Sequence, residues 1–192
     1  MKYDFTTILN REGTGAIAVS KIPFDNAEIK EGFSKIPMWV ADMNYATAPS
    51  VIEAIQNRLA HPVFGYFDIK DAYSESIIEW QKTRNGVTDI PKEAIDYENG
   101  VLGGVSSVLQ AFTAPGEAIL LHSPAYIGFI GTITNMGRKI VYSPLKKDEQ
   151  GVWRMDYEDM EKKIVEYKIH AAVFCSPYNP VGRVWTRDEI ER

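Results

Sequence analysis

The stretch AAVFCSPYNPVGRVW, residues 171–185, decides the fold class because it joins a short apolar run to a proline-rich turn. The run 171–176 is nearly continuous in small and apolar residues, which is typical of a parallel strand buried on both faces. Asn179 stands between Pro177 and Pro180, and proline rings restrict the backbone around them. In open α/β sheets, ligands bind in the crevice outside the carboxyl ends of the strands. We therefore interpret Asn179 as a functional residue whose amide faces such a crevice.

Helical and strand patterns alternate upstream of this stretch. The predicted helices lie at about 49–62, 70–84, 104–112, 125–135 and 156–167, with a last one starting at 186, and the predicted strands at 95–101, 118–122, 139–143 and 171–176. Short apolar strands separated by amphipathic helices predict right-handed βαβ units and a parallel sheet. The pattern therefore indicates an α/β fold.

Residues 1–48 follow a different pattern. Glycines and prolines interrupt short segments without a sustained period, so we predict an irregular arm with one short strand at 38–41. The last predicted helix reaches Arg192 without a capping signal, and we expect the chain to be a truncated part of a longer parent protein.

Composition and charge argue against several classes of partner and site. The chain has 21 Lys and Arg against 26 Asp and Glu, a net charge of −5, and no basic run, which argues against nucleic acid. The apolar stretch 101–114 is too short to cross a bilayer, so we expect no membrane partner. A single cysteine, Cys175, fits a reducing cytoplasm. The three histidines lack metal-ligand spacing, so we expect no metal.

Two further segments are candidates for contact with a ligand. Residues 99–107, NGVLGGVSS, join a predicted strand to a helix, and the free N–H groups at a helix N-terminus suit a phosphate. Close helix–strand packing is the alternative reason for those glycines. Tyr126 follows the carboxyl end of another predicted strand and would face the same crevice, although a half-buried packing role explains it equally well.

These residues carry a resemblance to a known family. The segment 176–185, SPYNPVGRVW, resembles the Asn-Pro signature of fold-type I pyridoxal-phosphate enzymes, the aminotransferase class I/II superfamily. WVADM at 39–43, FGY at 64–66 and SPAY at 123–126 are similar to its cystathionine β-lyase-like carbon–sulfur lyase branch. The similarity extends in order over nearly the whole chain.

The resemblance implies an aminotransferase-like α/β fold of type I, with a mostly parallel sheet flanked by helices. Residues 1–48 would supply the N-terminal arm and small-domain elements, and residues 49–192 the first part of the large cofactor-binding domain. Members of the family are longer than this chain. The second half of the large domain and the C-terminal small domain are therefore expected to be absent.

The resemblance also implies roles for single residues in binding pyridoxal 5′-phosphate. Asn179 matches the asparagine that hydrogen-bonds the phenolic oxygen of the cofactor, and Tyr126 matches the aromatic residue that stacks on its pyridine ring. Val101, Leu102 and Gly103 match the backbone that holds the phosphate.

Two more positions match residues that act at the substrate or across a subunit interface. Tyr66 matches a tyrosine that reaches the phosphate in the neighbouring subunit, which implies a homodimer for the parent protein. Ala41 matches a backbone N–H near the substrate carboxylate. Asn44 departs from the branch, which usually has aspartate there, and we expect little consequence.

The implied reaction is C–S β-elimination from cystathionine or a related cysteine S-conjugate, an amino-acid substrate, to thiol, pyruvate and ammonia. The Schiff-base lysine of the family matches no position here, so we expect no catalytic residue in this chain and no activity from it alone. Two alternatives remain open. One is a class I/II aminotransferase on the same scaffold, and the other is a non-catalytic fragment, such as a split-gene product.

Overall fold

A computed structural model describes residues 3–23, 28, 30–33 and 36–192 of the chain. The chain divides into two compact units, Met1–Ile69 and Lys70–Arg192. The domain division at residue 48 that the sequence suggests remains a prediction. Within the described ranges, no helix is both long and apolar enough to cross a membrane.

The first unit contains extended segments and the helices α1 (Ile17–Ser20) and α2 (Pro49–Leu59). Helix α2 confirms the predicted start, because proline lacks the N–H that the first helical position leaves unpaired. The strand predicted at 38–41 is wrong. The N–H of Asp42 donates to the carbonyl of Val40 at 2.9 Å, and this tight turn prevents an extended ladder there.

The second unit alternates helices and strands, as predicted. Its helices are α3 (Asp71–Asn85), α4 (Gly100–Phe112), α5 (Ile127–Asn135), α6 (Tyr157–Tyr167) and α7 (Arg187–Glu191), with a 3-10 helix at Lys92–Ala94. Its strands are β1 (Ala118–Ser123), β2 (Lys139–Pro144), β3 (Lys146–Lys147), β4 (Trp153–Arg154) and β5 (Ala171–Val173). This α/β arrangement confirms the predicted fold class.

Parallel pairing organises the main sheet, whose described strands have the order β2-β1-β5. Ile119 lies opposite Ile140 on one side and Ala171 on the other, so β1 is the central strand. The short strands β3 and β4 form a separate antiparallel pair. Central position explains why Leu120 and Leu121 are almost fully buried.

Capping groups set several helix ends close to their predicted positions. Gly86 follows α3 with φ +69°, a left-handed conformation that favours glycine and ends the helix. The Asp156 side chain accepts a hydrogen bond from the N–H of Asp159 and starts α6. Helix α7 starts with a capping box in which Thr186 and Glu189 each bond the other's backbone N–H.

Two predicted strands differ from the structure. The strand predicted at 95–101 is wrong, because no strand lies beside these residues within the described chain and α4 already begins at Gly100. The strand predicted at 171–176 ends at Val173. Beyond it, the carbonyl of Cys175 accepts a hydrogen bond from the indole of Trp185 at 2.9 Å instead of joining the ladder.

Two apolar clusters hold the second unit together. The first contains buried side chains from α4, β1 and α5, namely Leu109, Ile119, Leu121 and Ile133. The second lies beside the segment that follows β5 and contains Leu145, Met155, Tyr178 and Trp185. Burial of each such side chain contributes roughly 1.5–3 kcal/mol. The first cluster packs against the segment that follows β1, and the second packs against the segment that follows β5.

Arg138 is buried and secures the carboxyl end of α4. Its guanidinium donates to the carbonyls of Thr113 at 2.6 Å and Met136 at 2.7 Å, and to the Thr113 hydroxyl at 3.1 Å. It also donates to the carbonyl of Leu109 at 3.3 Å. A cation at the C-terminus of a helix satisfies its last carbonyls and opposes the negative end of its dipole.

Replacing Arg138 by lysine should therefore destabilise the protein. A lysine keeps the charge but cannot reproduce the fork of hydrogen bonds, so we expect a loss of roughly 1.5–3 kcal/mol in the free energy of unfolding. Chemical denaturation measures it. The matched control is Arg187→Lys, since the Arg187–Glu191 pair is exposed and should change stability by less than about 0.5 kcal/mol. Equal effects of the two variants would contradict the role of Arg138.

Candidate functional site

The carboxyl ends of β1 and β5 define the candidate site. The two strands pair in parallel, with Leu121 opposite Val173, so the segments that follow them leave the sheet at the same edge. Tyr126 lies in the segment after β1, and Asn179 lies in the segment after β5. Both residues therefore lie after the carboxyl end of a strand, as the sequence predicts.

Tyr126 is the N-cap residue of α5, and its ring lies against a glycine and against α4. A methyl group added to Gly128 would lie 2.3 Å from Cε1 of Tyr126 and 2.9 Å from Cδ1 of Leu102. The ring of Phe129 meets the Tyr126 ring edge-on, with centroids 5.4 Å apart. The absence of a side chain at Gly128 therefore lets Tyr126 pack beside the first turn of α4 and still remain partly exposed.

The first turn of α4 contains Val101, Leu102 and Gly103, the predicted phosphate-binding backbone. Its N-cap residue, Asn99, makes no side-chain capping hydrogen bond, and the first turn holds no acidic residue. The first N–H groups of a helix have no partner inside the helix, and they carry a partial positive charge. The hydroxyl of Ser107 donates to one carboxylate oxygen of Glu98, and the other oxygen lies near Gly103. The unpaired N–H groups make this end of the helix a candidate site for an anion.

A tight turn carries Asn179. The N–H of Tyr178 donates to the carbonyl of Arg183 at 2.6 Å, and the N–H of Gly182 donates back to the carbonyl of Tyr178 at 2.7 Å. Gly182 has φ +74°, which permits the reversal. Asn179 is exposed at the tip, and no hydrogen bond within the described residues engages its side-chain amide. The amide is thus available to a ligand.

Charged groups anchor the far side of this turn. Arg183 donates from Nε to the carbonyl of Trp153 at 3.0 Å and from Nη2 to the carboxylate of Glu189. Arg154 also pairs with Glu189, at 2.7 Å. Partial burial would raise the pKa of Glu189, but hydrogen bonds from the Thr186 N–H and from both arginines lower this pKa to about 2. Glu189 is therefore ionised at neutral pH and ties the turn to α7 and β4.

Tyr178 links the turn to the segment after β1, a role that sequence reasoning missed. Its hydroxyl donates to the carbonyl of Pro124 at 2.9 Å, across 54 positions of sequence. The ring meets His122 and Trp185 edge-on, with centroids 6.2 and 5.7 Å apart. Burial raises the pKa of Tyr178 to about 12, so the hydroxyl keeps its proton and remains a donor. In the sequence, only its position beside Asn179 marks it.

The two remaining predicted residues belong to the first unit. Ala41 and Tyr66 are both exposed, and Tyr66 is exposed over its whole side chain. Within the described chain, no hydrogen bond uses the N–H of Ala41. Arg11 holds the neighbouring backbone through an ion pair with Asp42 at 2.7 Å and a hydrogen bond to the carbonyl of Met43 at 3.2 Å.

Three lysines of the second unit form ion pairs with aspartates, which does not suit a nucleophile. Lys92 pairs with Asp71, Lys146 with Asp156, and Lys163 with Asp159, and the pKa values of Lys92 and Lys146 are raised by their carboxylate partners. Charged, paired ammonium groups are poor nucleophiles. Over the described residues, no cluster of His, Cys, Asp and Glu has the arrangement of a metal site.

Comparison with known proteins identifies the family. Residues 34–192 match the model of the family described as aminotransferase class I and II. The chain belongs to the aminotransferase class I and II family. The match extends over the whole second unit, which includes the α4 N-terminus, Tyr126 and the Asn179 turn.

Two curated relatives show which proteins of the aminotransferase class I and II family this chain is similar to. The chain is 34% identical over 155 residues to cystathionine beta-lyase PatB of Bacillus subtilis, which covers 81% of this chain and 40% of PatB. It is 32% identical over 192 residues to protein MalY of Escherichia coli, covering 98% of this chain and 47% of MalY. The chain therefore spans about half the length of the curated relatives it matches or less.

A solved structure supports the same relationship. Cystalysin from Treponema denticola, whose crystal structure contains a pyridoxal 5′-phosphate cofactor, superposes with a TM-score of 0.86 at 33% identity. The superposition covers 100% of this chain and 48% of cystalysin. The fold is therefore that of fold-type I enzymes, as the resemblance implied.

Adding a methyl group at Gly128 should displace Tyr126. In Gly128→Ala the new carbon would overlap the tyrosine ring, so we expect a loss of roughly 1–3 kcal/mol in the free energy of unfolding and an altered near-ultraviolet circular dichroism spectrum. Gly131→Ala, on the same helix with nothing within 4 Å, is the control and should be neutral or stabilising by up to about 1 kcal/mol. An unchanged spectrum for Gly128→Ala would contradict the close packing.

Proposed function

We propose that this chain forms part of a pyridoxal-phosphate-dependent C–S β-lyase that cleaves cystathionine or a related cysteine S-conjugate. The observation that carries the proposal is the placement of three groups near the carboxyl ends of β1 and β5. They are the N-terminus of α4, whose first turn holds no acidic residue and includes Leu102 beside Gly128, the partly exposed Tyr126 ring after β1, and the Asn179 amide after β5, which no hydrogen bond of the described residues engages. The relatives named as cystathionine beta-lyase PatB and as cystalysin support the choice of reaction.

The three groups fit pyridoxal 5′-phosphate in chemical character. The N–H groups of Val101, Leu102 and Gly103 at the positive end of α4 would bind the phosphate. The Tyr126 ring would stack on the pyridine ring, and aromatic pairs of this kind contribute about 0.5–1.5 kcal/mol beyond area burial. The Asn179 amide would donate a hydrogen bond to the phenolic oxygen. Each part of the cofactor thus has a complementary group in the second unit.

When bound, pyridoxal phosphate supplies an electron sink for the carbanion that forms at the α-carbon of an amino acid. The residues of this chain bind and orient the ring. The donor from Asn179 stabilises negative charge on the phenolic oxygen, and Tyr126 holds the ring plane. The N–H of Ala41 donates to no acceptor within the described residues and would be available to donate to a substrate carboxylate. We assign the nucleophilic lysine to a part of the full-length protein outside these residues, because no lysine of this chain matches the Schiff-base position that the family resemblance implies.

The proposal also includes a homodimeric assembly and a cytoplasmic location for the full-length protein. A fully exposed tyrosine at position 66 suits a residue that acts across an interface, so we infer a homodimer in which Tyr66 reaches the phosphate of the partner's cofactor. The acidic net charge and the single cysteine support a reducing cytoplasm and no nucleic-acid partner.

An aminotransferase reaction is the second candidate, favoured by the family description of the match itself. Both reactions use the same cofactor contacts and differ only after proton abstraction. The residues of the candidate site therefore suit either reaction.

Release of pyruvate separates the two candidates. The full-length protein, loaded with pyridoxal phosphate and given cystathionine without a keto acid, should release thiol, ammonia and pyruvate in equal amounts. Lactate dehydrogenase coupling measures the pyruvate and a thiol reagent measures the thiol. Turnover that appears only when a keto-acid acceptor is added would assign an aminotransferase. Failure to bind the cofactor at all would remove both candidates and favour a non-catalytic fragment.

Loss of the Tyr66 hydroxyl should weaken retention of the cofactor in the dimer. Tyr66→Phe removes one hydrogen bond to a charged phosphate, worth roughly 1.5–3 kcal/mol, and equilibrium dialysis of the full-length protein measures the rise in Kd. Tyr167→Phe, which alters another exposed tyrosine at the end of α6, is the control and should leave the Kd unchanged. A structure of the dimer with Tyr66 out of reach of the partner's phosphate would contradict the assignment.

A further inference from the structure

The Tyr178 hydroxyl makes a contact that the cofactor contacts above do not use. Tyr178 is 3% exposed, and its ring packs in the cluster with Leu145, Met155 and Trp185. A phenylalanine would fill the same space. The hydroxyl therefore needs an explanation beyond packing, and its acceptor, the carbonyl of Pro124, provides one.

Pro124 and Tyr178 each stand next to a proposed cofactor contact. Pro124 lies two positions before Tyr126, and Tyr178 directly precedes Asn179. The 2.9 Å hydrogen bond thus joins the two segments that carry the stacking ring and the amide donor. Asn179 itself makes no side-chain hydrogen bond within the described residues, so its position depends on the backbone of its turn.

We propose that Tyr178 is a positioning residue that fixes Asn179 relative to Tyr126 and thereby sets the orientation of the bound cofactor ring. The inference rests on the proposed function, because it assigns Asn179 and Tyr126 to the same ligand. Tyr178 does not touch the cofactor. It acts through the spacing of the two segments.

Three features of the surroundings make Tyr178 a rigid link. His122 and Trp185 hold the ring from two sides at near-perpendicular angles, 61° and 68°. Both backbone polar groups of Tyr178 are bonded within the turn that ends at Arg183. Arg183 is in turn held by Glu189. Because the ring and the backbone of Tyr178 are both fixed, its hydrogen bond to Pro124 holds the Asn179 turn at a set distance from the segment after β1. A displacement of about 1 Å in groups that orient a ligand reduces function strongly.

Tyr157 offers a matched control. Its hydroxyl donates to the carbonyl of Glu189 at 2.8 Å, and its ring packs against the same cluster as Tyr178. This bond joins α6 to α7 and does not involve Pro124, and it reaches the Asn179 turn only indirectly, through the pairing of Glu189 with Arg183. Tyr157→Phe therefore controls for a general loosening of the turn's anchor. Tyr157→Phe and Tyr178→Phe each remove a hydrogen bond from a tyrosine hydroxyl to a backbone carbonyl beside the same apolar cluster, with Tyr157 at its charged margin.

The experiment compares both variants with the unaltered full-length protein in three measurements. Chemical denaturation without cofactor measures stability, equilibrium dialysis measures the Kd for pyridoxal phosphate, and induced circular dichroism in the cofactor's absorption band reports the orientation of its ring. We expect similar losses of stability in both variants. Only Tyr178→Phe should raise the Kd, about three- to tenfold as for one neutral hydrogen bond, and reduce or reshape the induced signal.

The outcomes separate this inference from the proposed function. An unaltered protein that binds no pyridoxal phosphate would overturn both. A protein that binds it, with Tyr178→Phe matching Tyr157→Phe in Kd and in induced signal, would overturn the positioning role alone.

A double-mutant cycle gives a second, independent readout. If Tyr178 acts through Asn179, then the Kd increases of Tyr178→Phe and Asn179→Ala should combine to less than their product, because the amide that Tyr178 positions is already gone. Fully multiplicative increases would show that the hydroxyl does not act through Asn179 and would overturn the proposal. Because all variants are compared as ratios of Kd, a uniform loss of stability does not affect the conclusion.

Discussion

Because β1 pairs in parallel with both β2 and β5, the segments that follow β1 and β5 must emerge side by side. The placement of Tyr126 and Asn179 depends on this pairing. It brings Tyr126 and Asn179, which are far apart in sequence, to one edge of the sheet. An antiparallel arrangement would send the two segments to opposite edges. The buried residues of β1, above all Ile119 and Leu121, provide the apolar contacts that hold the strand in the centre.

The site is assembled from groups that are individually weak. In the proposed function, a helix N-terminus, an aromatic ring and an amide would each contribute on the order of 1 kcal/mol to binding, so their relative placement would matter more than any one of them. The structure provides that placement through neighbours without a direct role in binding. Gly128 allows Tyr126 to lie beside Leu102, and the network of Arg183, Glu189 and Arg154 anchors the turn beneath Asn179.

The first unit exposes many apolar side chains. Helix α2 presents Val51, Ile52, Ile55 and Leu59 to solvent over much of their surface, and Phe64, Tyr66 and Phe67 are also exposed. Exposed apolar patches of this kind mark surfaces that other protein segments cover. This agrees with a chain that spans less than half the length of PatB and MalY and with the proposed homodimer.

The amino-acid sequence by itself determined the order of helices α2 to α7 and of strands β1, β2 and β5, because apolar period, capping residues and glycines act over neighbouring positions. The starts of α2 and α6, the end of α3 and the residue types at the candidate site follow from such local signals. Only the tertiary structure decided which extended segments became strands. Within the described chain, residues 95–101 lie beside no strand, and β5 ends at Val173, beyond which the carbonyl of Cys175 accepts a hydrogen bond from the indole of Trp185. The roles of Arg138 and Tyr178 were likewise decided by contacts between distant segments, the second across 54 positions, and no local pattern encodes such a distance.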